Sequence, residues 1–425
     1  LGCKTGEKTC NVEINELIMR IFKFFLFFVT LLLVAFPIGI GMADTSVISK
    51  DTLDENNAYI SAEHAERINN LLQDRLIKSG FKGTALVAYK DQIITEYANG
   101  YSDYSEKKLI KENSSFQLAS VSKSFTATAI MIIHEQGHLK YDDKVVQYIP
   151  EFPYEKITIR HLLQHTSGLP NYMYLVDQYW KNDSLISNED VLDLLIEHQV
   201  KTNYVPGSRF VYSNTGYAML ALLVERVSHQ SFSSFLSQYI FEPAQMNSTF
   251  TYNKNILDTL DNRVLGYGRS GKRLRQYEYE PNDLVLGDKS VFSNVYDLFN
   301  YLQYLNSYKI VSEESLAQAY TRGTTVSKKS RDFDYGFGWR MRDEEGMNLI
   351  YHNGLWHGFS STLTREINND ITVILLSNTA ATISGIRNEL LQISINELQK
   401  ISLEKMASKT GVLARTKPEN TAHKL

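Results

Sequence analysis

The sequence predicts a mixed α/β (α+β) fold. A mostly antiparallel sheet is flanked by N- and C-terminal helices, and a helical subdomain is inserted between the two halves of the sheet. Three observations carry this expectation. Strand-like runs gather in two places far apart in the chain, at 83–101 and at 335–378. The long stretch between them, to about residue 325, has mainly helical apolar spacing. Amphipathic segments at 61–80 and 385–400 bracket both strand clusters and are placed to cover one sheet face.

The elements follow in order. In 61–80, Ile68, Leu71, Leu72 and Leu76 recur at helical spacing, and Gly80 stops the helix. "GTALVAYKDQIITEYANGY" at 83–101 reads as two strands around a Lys90-Asp91 turn. "SVSKSFTATAIMIIHEQG" at 120–137 is a strongly apolar helix ending at Gly137. Further helices are expected at 189–198, 215–229, 231–240 and 295–306. Strand character returns with "YGFGWRM" at 335–341, then "NLIYHNG", "FSSTLTREI" and "DITVILLSN" through 378. The resulting division is 44–115 and 329–402 for the α/β domain, 116–328 for the helical subdomain, and 403–425 for a polar, disordered tail.

The N-terminal region carries a targeting pattern. From Met19, Arg20 and Lys23 precede a run of Phe, Leu and Val, and Gly41-Met42-Ala43 offers small residues for cleavage. Residues 19–43 therefore read as a secretory signal peptide, with an uncleaved membrane anchor as the competing reading. Either way the folded part is expected outside the cytoplasm, with membrane contact through this segment only. The chain begins with Leu, so Met19 is expected to be the true start and residues 1–18 a non-native upstream extension. Cys3 and Cys10 are the only cysteines and both precede Met19, which excludes disulfides and thiolate chemistry from the mature chain. A net charge of -4, with 22% charged residues, gives no polyanion-binding surface and excludes nucleic acid as a partner.

Ser-x-x-Lys occurs four times, starting at Ser79, Ser105, Ser120 and Ser402. Only Ser120 opens a long apolar helix. There, i and i+3 share a face, so Lys123 can set its amine beside the Ser120 hydroxyl. A serine alcohol needs a base before it attacks a carbonyl, and burial pushes a lysine toward that role. A capping serine with a solvated lysine would show the same spacing.

Tyr-x-Asn also occurs four times, starting at Tyr97, Tyr212, Tyr304 and Tyr351. Tyr212 and Asn214 sit in a loop after Pro206-Gly207, just before an apolar helix, where both can face a cleft. His-x-Gly occurs once, at His352-Asn353-Gly354, in the returning strands, with His357 as a nearby rival. Lys-Thr-Gly occurs at 4–6 and again at 409–411, before the signal segment and after the closing helix.

In that order, Ser120-Val-Ser-Lys123, Tyr212-Ser-Asn214 and His352-Asn-Gly354 resemble the serine β-lactamase and penicillin-binding protein superfamily. The similar branch holds class C β-lactamases, D-alanyl-D-alanine carboxypeptidases and related esterases. "ITIRHLLQHTSGLP" at 157–170 and "PGSRFVYSNTGYAMLALLVERVS" around Tyr212 resemble the same branch, over about residues 60–400. The resemblance implies the β-lactamase/transpeptidase-like fold and two-step acyl transfer through Ser120, with Lys123 and Tyr212 as the proton-transfer pair. It implies that Asn214 binds Lys123 and the substrate amide, and that His352 replaces the motif lysine and bonds toward Tyr212. The oxyanion hole would be the backbone N–H of Ser120 and of Leu355, beside Gly354. No metal or organic cofactor is implied.

Asn353 stands where the family has a carboxylate-binding Thr, and Leu355, Trp356 and His357 replace small residues. The expected substrate is a small or peptidyl D-alanyl amide or ester of the cell envelope, with weak β-lactam turnover. A slow penicillin-binding or sensing protein, a class C-like β-lactamase, and an inactive envelope scaffold are the other readings.

Overall fold

The computed structural model describes residues 59–181, 184–270, 273–278, 280–323, 333–380 and 382–409. The 1–18 extension, the 19–43 segment, the Lys-Thr-Gly at 4–6 and the tail from 410 lie outside the described residues.

Helix α1 (Ala62–Ser79) is capped by Ser61 and closed by Gly80 in the left-handed region. It buries Ile68, Leu72 and Leu76, one stripe at four-residue spacing. Strands β1 (Gly83–Tyr89) and β2 (Gln92–Asn99) form a hairpin. The helical region follows, with α2 (Ser122–Glu135), α3 (Asn214–Ser228) and α4 (Val295–Asn306) as its long members. It also carries short strands, such as Val291–Ser293. The chain then returns through β3 (Asp334–Tyr335), β4 (Arg340–Glu344), β5 (Met347–Trp356), β6 (Phe359–Glu366) and β7 (Ile371–Ser377). Helix α5 (Ser384–Lys409) closes the fold.

The seven strands run β3-β4-β5-β6-β7-β1-β2, antiparallel at every step. The two chain halves join where Ala85 faces Leu375 across the β1–β7 pair. Period-two alternation divides each strand between two cores. Leu86, Ile374 and Leu376 pack toward the helical region. Ala85, Val87, Val373 and Leu375 pack under α1 and α5 with Leu72, Leu76, Leu390 and Leu391. With both faces covered, the central strands are apolar at nearly every position, as "ITVILLS" shows.

Two expectations change. "YGFGWRM" is not one strand. It breaks between β3 and β4, because Gly336 and Gly338 pass against other backbone: a Cβ on Gly336 would stand 1.9 Å from Ala319 O, and one on Gly338 2.8 Å from Lys123 O. The closing helix does not stop near 400 but continues to Lys409. The stretch Leu403–Lys409 loses apolar periodicity yet consists largely of strong helix formers. Arg67 of α1 ties it down, donating to Glu404 (3.2 Å) and forming an ion pair with Glu397 (3.1 Å) two turns earlier in the same helix. Lys409 of the second Lys-Thr-Gly thus ends a helix on the sheet's outer layer.

Candidate active site

Ser120 lies in a single 3-10 turn, Ala119–Val121, that leads into α2, so it precedes the α-helix rather than opening it. The turn is entered through Ala119 at φ 49°, a left-handed backbone that costs a non-glycine residue strain. Ser122 fixes the turn from behind, since its Oγ accepts from Val291 N–H at 3.0 Å.

Lys123 is fully buried. Its Nζ donates to Ser120 Oγ (3.2 Å), Asn214 Oδ1 (2.9 Å) and the backbone carbonyl of Asp288 (2.7 Å). Three acceptors match the three N–H groups of an ammonium, and none is a carboxylate. The rings of Tyr212 and Tyr217 stand 4.9 and 5.6 Å from the same nitrogen and stabilise the cation by their faces. When the amine is neutral it keeps two donors and turns its lone pair to the serine hydroxyl, so the same cage serves both protonation states.

Tyr212 ends the loop before α3, and its Oη is buried with no hydrogen-bond partner among the described residues. Asn214 starts α3, one residue after the capping Ser213. Among the described residues its Nδ2 reaches only the weak acceptor Met173 Sδ at 3.8 Å, which a substrate carbonyl can replace.

The third motif sits on β5. Strand β4 pairs with β5 only as far as Tyr351, so the β5 edge from His352 onward has no strand partner on that side among the described residues. The Ser120 turn packs there instead. Gly354 makes this approach possible, because a Cβ on it would lie 2.2 Å from Leu118 O and 3.0 Å from Ala119 Cβ. Leu355 follows with its side chain 65% exposed.

Two expectations for this strand need correction. His352 does not bond Tyr212. Its Nδ1 donates to Asn353 O (2.8 Å) and its Nε2 accepts from Tyr335 Oη (3.0 Å). Burial, with Arg340 and Lys123 nearby, pushes its pKa well below the ordinary value, so the ring is neutral rather than cationic. Asn353 alternates to the opposite face and donates to Ser384 Oγ of α5 (3.3 Å), so its side chain serves the covering helix rather than the Ser120–Lys123 pair. His357 is no rival for His352: it pairs with Glu280 at 3.1 Å and stacks on Tyr277. Trp356 Nε1 donates to the buried Asp283 at 3.0 Å, tying the end of β5 to the helical region.

Sequence reasoning missed several participants. Asp288 acts through its carbonyl, which no side-chain pattern reveals. Tyr217 lies one turn into α3, and Tyr335 and His165 lie inside stretches whose patterns carried no stated role. Arg340 places its guanidinium 5.7 Å from the Tyr212 ring and 4.5 Å from that of Phe333. Among the described residues, no cluster of three His, Cys, Asp or Glu is placed to hold a metal ion.

A serine held against a buried lysine, on a turn between a helical layer and the free edge of an antiparallel sheet, is the arrangement of an active-serine hydrolase. The Beta-lactamase family matches residues 68–393. Penicillin-binding protein 4* of Bacillus subtilis (strain 168) is 36% identical over 312 residues, covering 71% of this chain and 69% of that protein. Protein flp of Staphylococcus aureus (strain MW2) is 24% identical over 75% of this chain, which spans 64% of that relative, just under two thirds. Among solved structures, a penicillin binding protein from Bacillus halodurans aligns with a TM-score of 0.66 at 23% identity, over 76% of this chain and 98% of that one. The D-amino acid amidase from Ochrobactrum anthropi SV3 aligns with a TM-score of 0.67 at 19% identity, over 79% and 99%. The chain belongs to the beta-lactamase family, and so to the serine hydrolases.

Proposed function

We propose that this chain is an extracytoplasmic hydrolase that forms an acyl-enzyme on Ser120 and acts on D-alanyl amide or ester bonds of cell-envelope material. The observation that carries this reading is the Lys123 amine, fully buried, 3.2 Å from Ser120 Oγ and paired with no carboxylate among the described residues. A serine loses its proton only to a base within hydrogen-bond reach, and this amine is the group that touches the hydroxyl.

In the first step Oγ bonds to the substrate carbonyl carbon as the Ser120 proton passes to Lys123, either directly or through the Tyr212 hydroxyl, which hands its own proton on as it takes the serine's. The carbonyl oxygen becomes an oxyanion facing the backbone N–H groups of Ser120 and Leu355. Collapse breaks the bond to the leaving amine or alcohol, which takes a proton from Tyr212 as Lys123 returns the serine's proton to the phenol oxygen. The Tyr212 Oη, without a hydrogen-bond partner among the described residues, suits that exchange. Water then adds to the acyl-enzyme through the same pair and releases the acid. Asn214 holds Lys123 in line throughout.

The substrate class rests on the edge of β5. Asn353 is tied to Ser384 and the exposed Leu355 replaces a small residue, which supports simple esters over bicyclic β-lactams with a carboxylate. Purified protein is offered a chromogenic D-alanyl ester, a D-alanyl peptide, a penicillin and a cephalosporin, beside Ser120→Ala. Ester turnover is expected to exceed cephalosporin turnover, with the acyl mass on Ser120 in trapped samples. Efficient cephalosporin turnover would refute the ester preference, and full activity of Ser120→Ala would refute the reading. Export through the 19–43 segment is tested by locating the chain in fractionated cells. Recovery from the cytoplasm alone would count against it.

A further inference from the structure

Between Glu197 and Asn214 the chain has neither helix nor strand, so Tyr212 is not placed by an element of its own. One residue of another segment, His165, bonds the backbone on both sides of it. His165 follows the short helix Ile159–Leu163 in a left-handed backbone conformation, φ 57°. Its carbonyl accepts from Val211 N–H at 2.9 Å, and its ring Nδ1 accepts from Ser213 N–H at 3.1 Å. These bonds fall on either side of Tyr212. Between them the imidazole lies against the phenol ring, centroids 4.2 Å apart. Tyr335 and Tyr217 back the same imidazole at 4.5 and 5.0 Å.

Since Nδ1 accepts, the ring proton is on Nε2, which is buried without a partner among the described residues. A residue chosen for packing alone could be phenylalanine, which fills a similar volume with no donor left unpaired. The imidazole instead supplies what an aromatic hydrocarbon cannot: an in-plane acceptor for the residue after the phenol.

We infer that His165 is a positioning residue for Tyr212, fixing the height and tilt of the phenol beside Lys123 through the Val211 bond, the Ser213 bond and the ring contact. It does this as a neutral imidazole and exchanges no proton with substrate. The inference rests on the proposed role of Tyr212 in proton transfer.

The test is a double-mutant cycle on ester turnover with His165→Phe, Tyr212→Phe and the pair. His165→Phe keeps a ring but loses the Ser213 acceptor. It is expected to lower kcat about 10- to 100-fold with KM changed less than about 3-fold, the pattern of a displaced reacting group. In the Tyr212→Phe background the same change is expected to cost almost nothing, because no phenol remains to place. His165→Gln, which can still accept from Ser213 N–H, is expected to recover part of kcat, and it replaces His165→Phe in the cycle if that variant fails to fold. Equal losses in both backgrounds, or a loss confined to KM, would overturn the inference. A Tyr212→Phe variant with full activity would overturn the underlying reading of the phenol and the positioning role with it, whereas Ser120→Ala tests the nucleophile separately.

Discussion

Gly354→Ala probes the junction on which the proposed oxyanion hole depends. The new Cβ would stand 2.2 Å from Leu118 O, 2.3 Å from Ser361 Oγ and 3.0 Å from Ala119 Cβ, against ordinary contact at 3.4 Å or more. Ser361 can rotate away, but only by giving up its 2.6 Å bond to Leu118 O. The Leu118 carbonyl is backbone and cannot rotate, so β5 and the Ser120 turn must part by about 1 Å, a displacement that costs on the order of 100-fold when it separates reacting groups. Over-packing at a tight contact of this kind also costs about 1–3 kcal/mol of stability. Steady-state ester hydrolysis should therefore show the loss mainly in kcat, and thermal unfolding a modest drop. Gly385→Ala is the control, since a Cβ there meets nothing within 4 Å. A folded Gly354→Ala variant with wild-type kcat would refute the claim that this approach sets the geometry of the nucleophile.

Lys123→Met should abolish acylation by about 1,000-fold or more and leave Asn214 Oδ1 and Asp288 O without their donor, at about 1–3 kcal/mol each. Ester turnover and calorimetry read the two losses, and undiminished turnover would remove Lys123 from the mechanism. His165 and His352 are fully buried and held neutral, while the unfolded chain protonates both near 6.5. Stability should be whole above that pH and fall below it, at about 1.4 kcal/mol per pH unit for each ring. Urea unfolding at stepped pH should show that slope, flattened by one ring's share in His352→Gln; an unchanged slope would mean that ring titrates normally in the fold. Trp356→Phe should lower the unfolding temperature through loss of the bond to the buried Asp283, worth about 1.5–3 kcal/mol, and an unmoved melt would show the tie to be slack.

Much of the fold is legible because two periodicities change along the chain. Runs of strand-forming residues at 83–99 and 347–377, apolar throughout where both sheet faces are covered, contrast with helical spacing at 62–79 and a long apolar helix at 122–135. The breaks were harder. Gly336 and Gly338 matter through the backbone they touch, which is distant in sequence. The end of α5 is held by Arg67, more than 300 residues earlier. At the candidate site, the Ser120–Lys123 spacing places both groups on one turn, and that relation is local. The partner of His352 is Tyr335 and not Tyr212, because the hydrogen bond depends on how other segments pack around the buried ring. The third acceptor of Lys123 is a carbonyl, and every residue has one.

The strand order has a consequence for how this protein is made. β1 is complete by residue 89, yet its neighbour β7 begins at residue 371. During synthesis the first hairpin must wait through more than 280 residues before its open side is covered. Contacts that span such a distance slow folding, and a chain stopped short of β7 would leave an apolar strand bare, prone to pair with another copy. Ribosome stalling or proteolysis upstream of residue 371 should thus yield aggregates, not a smaller working enzyme.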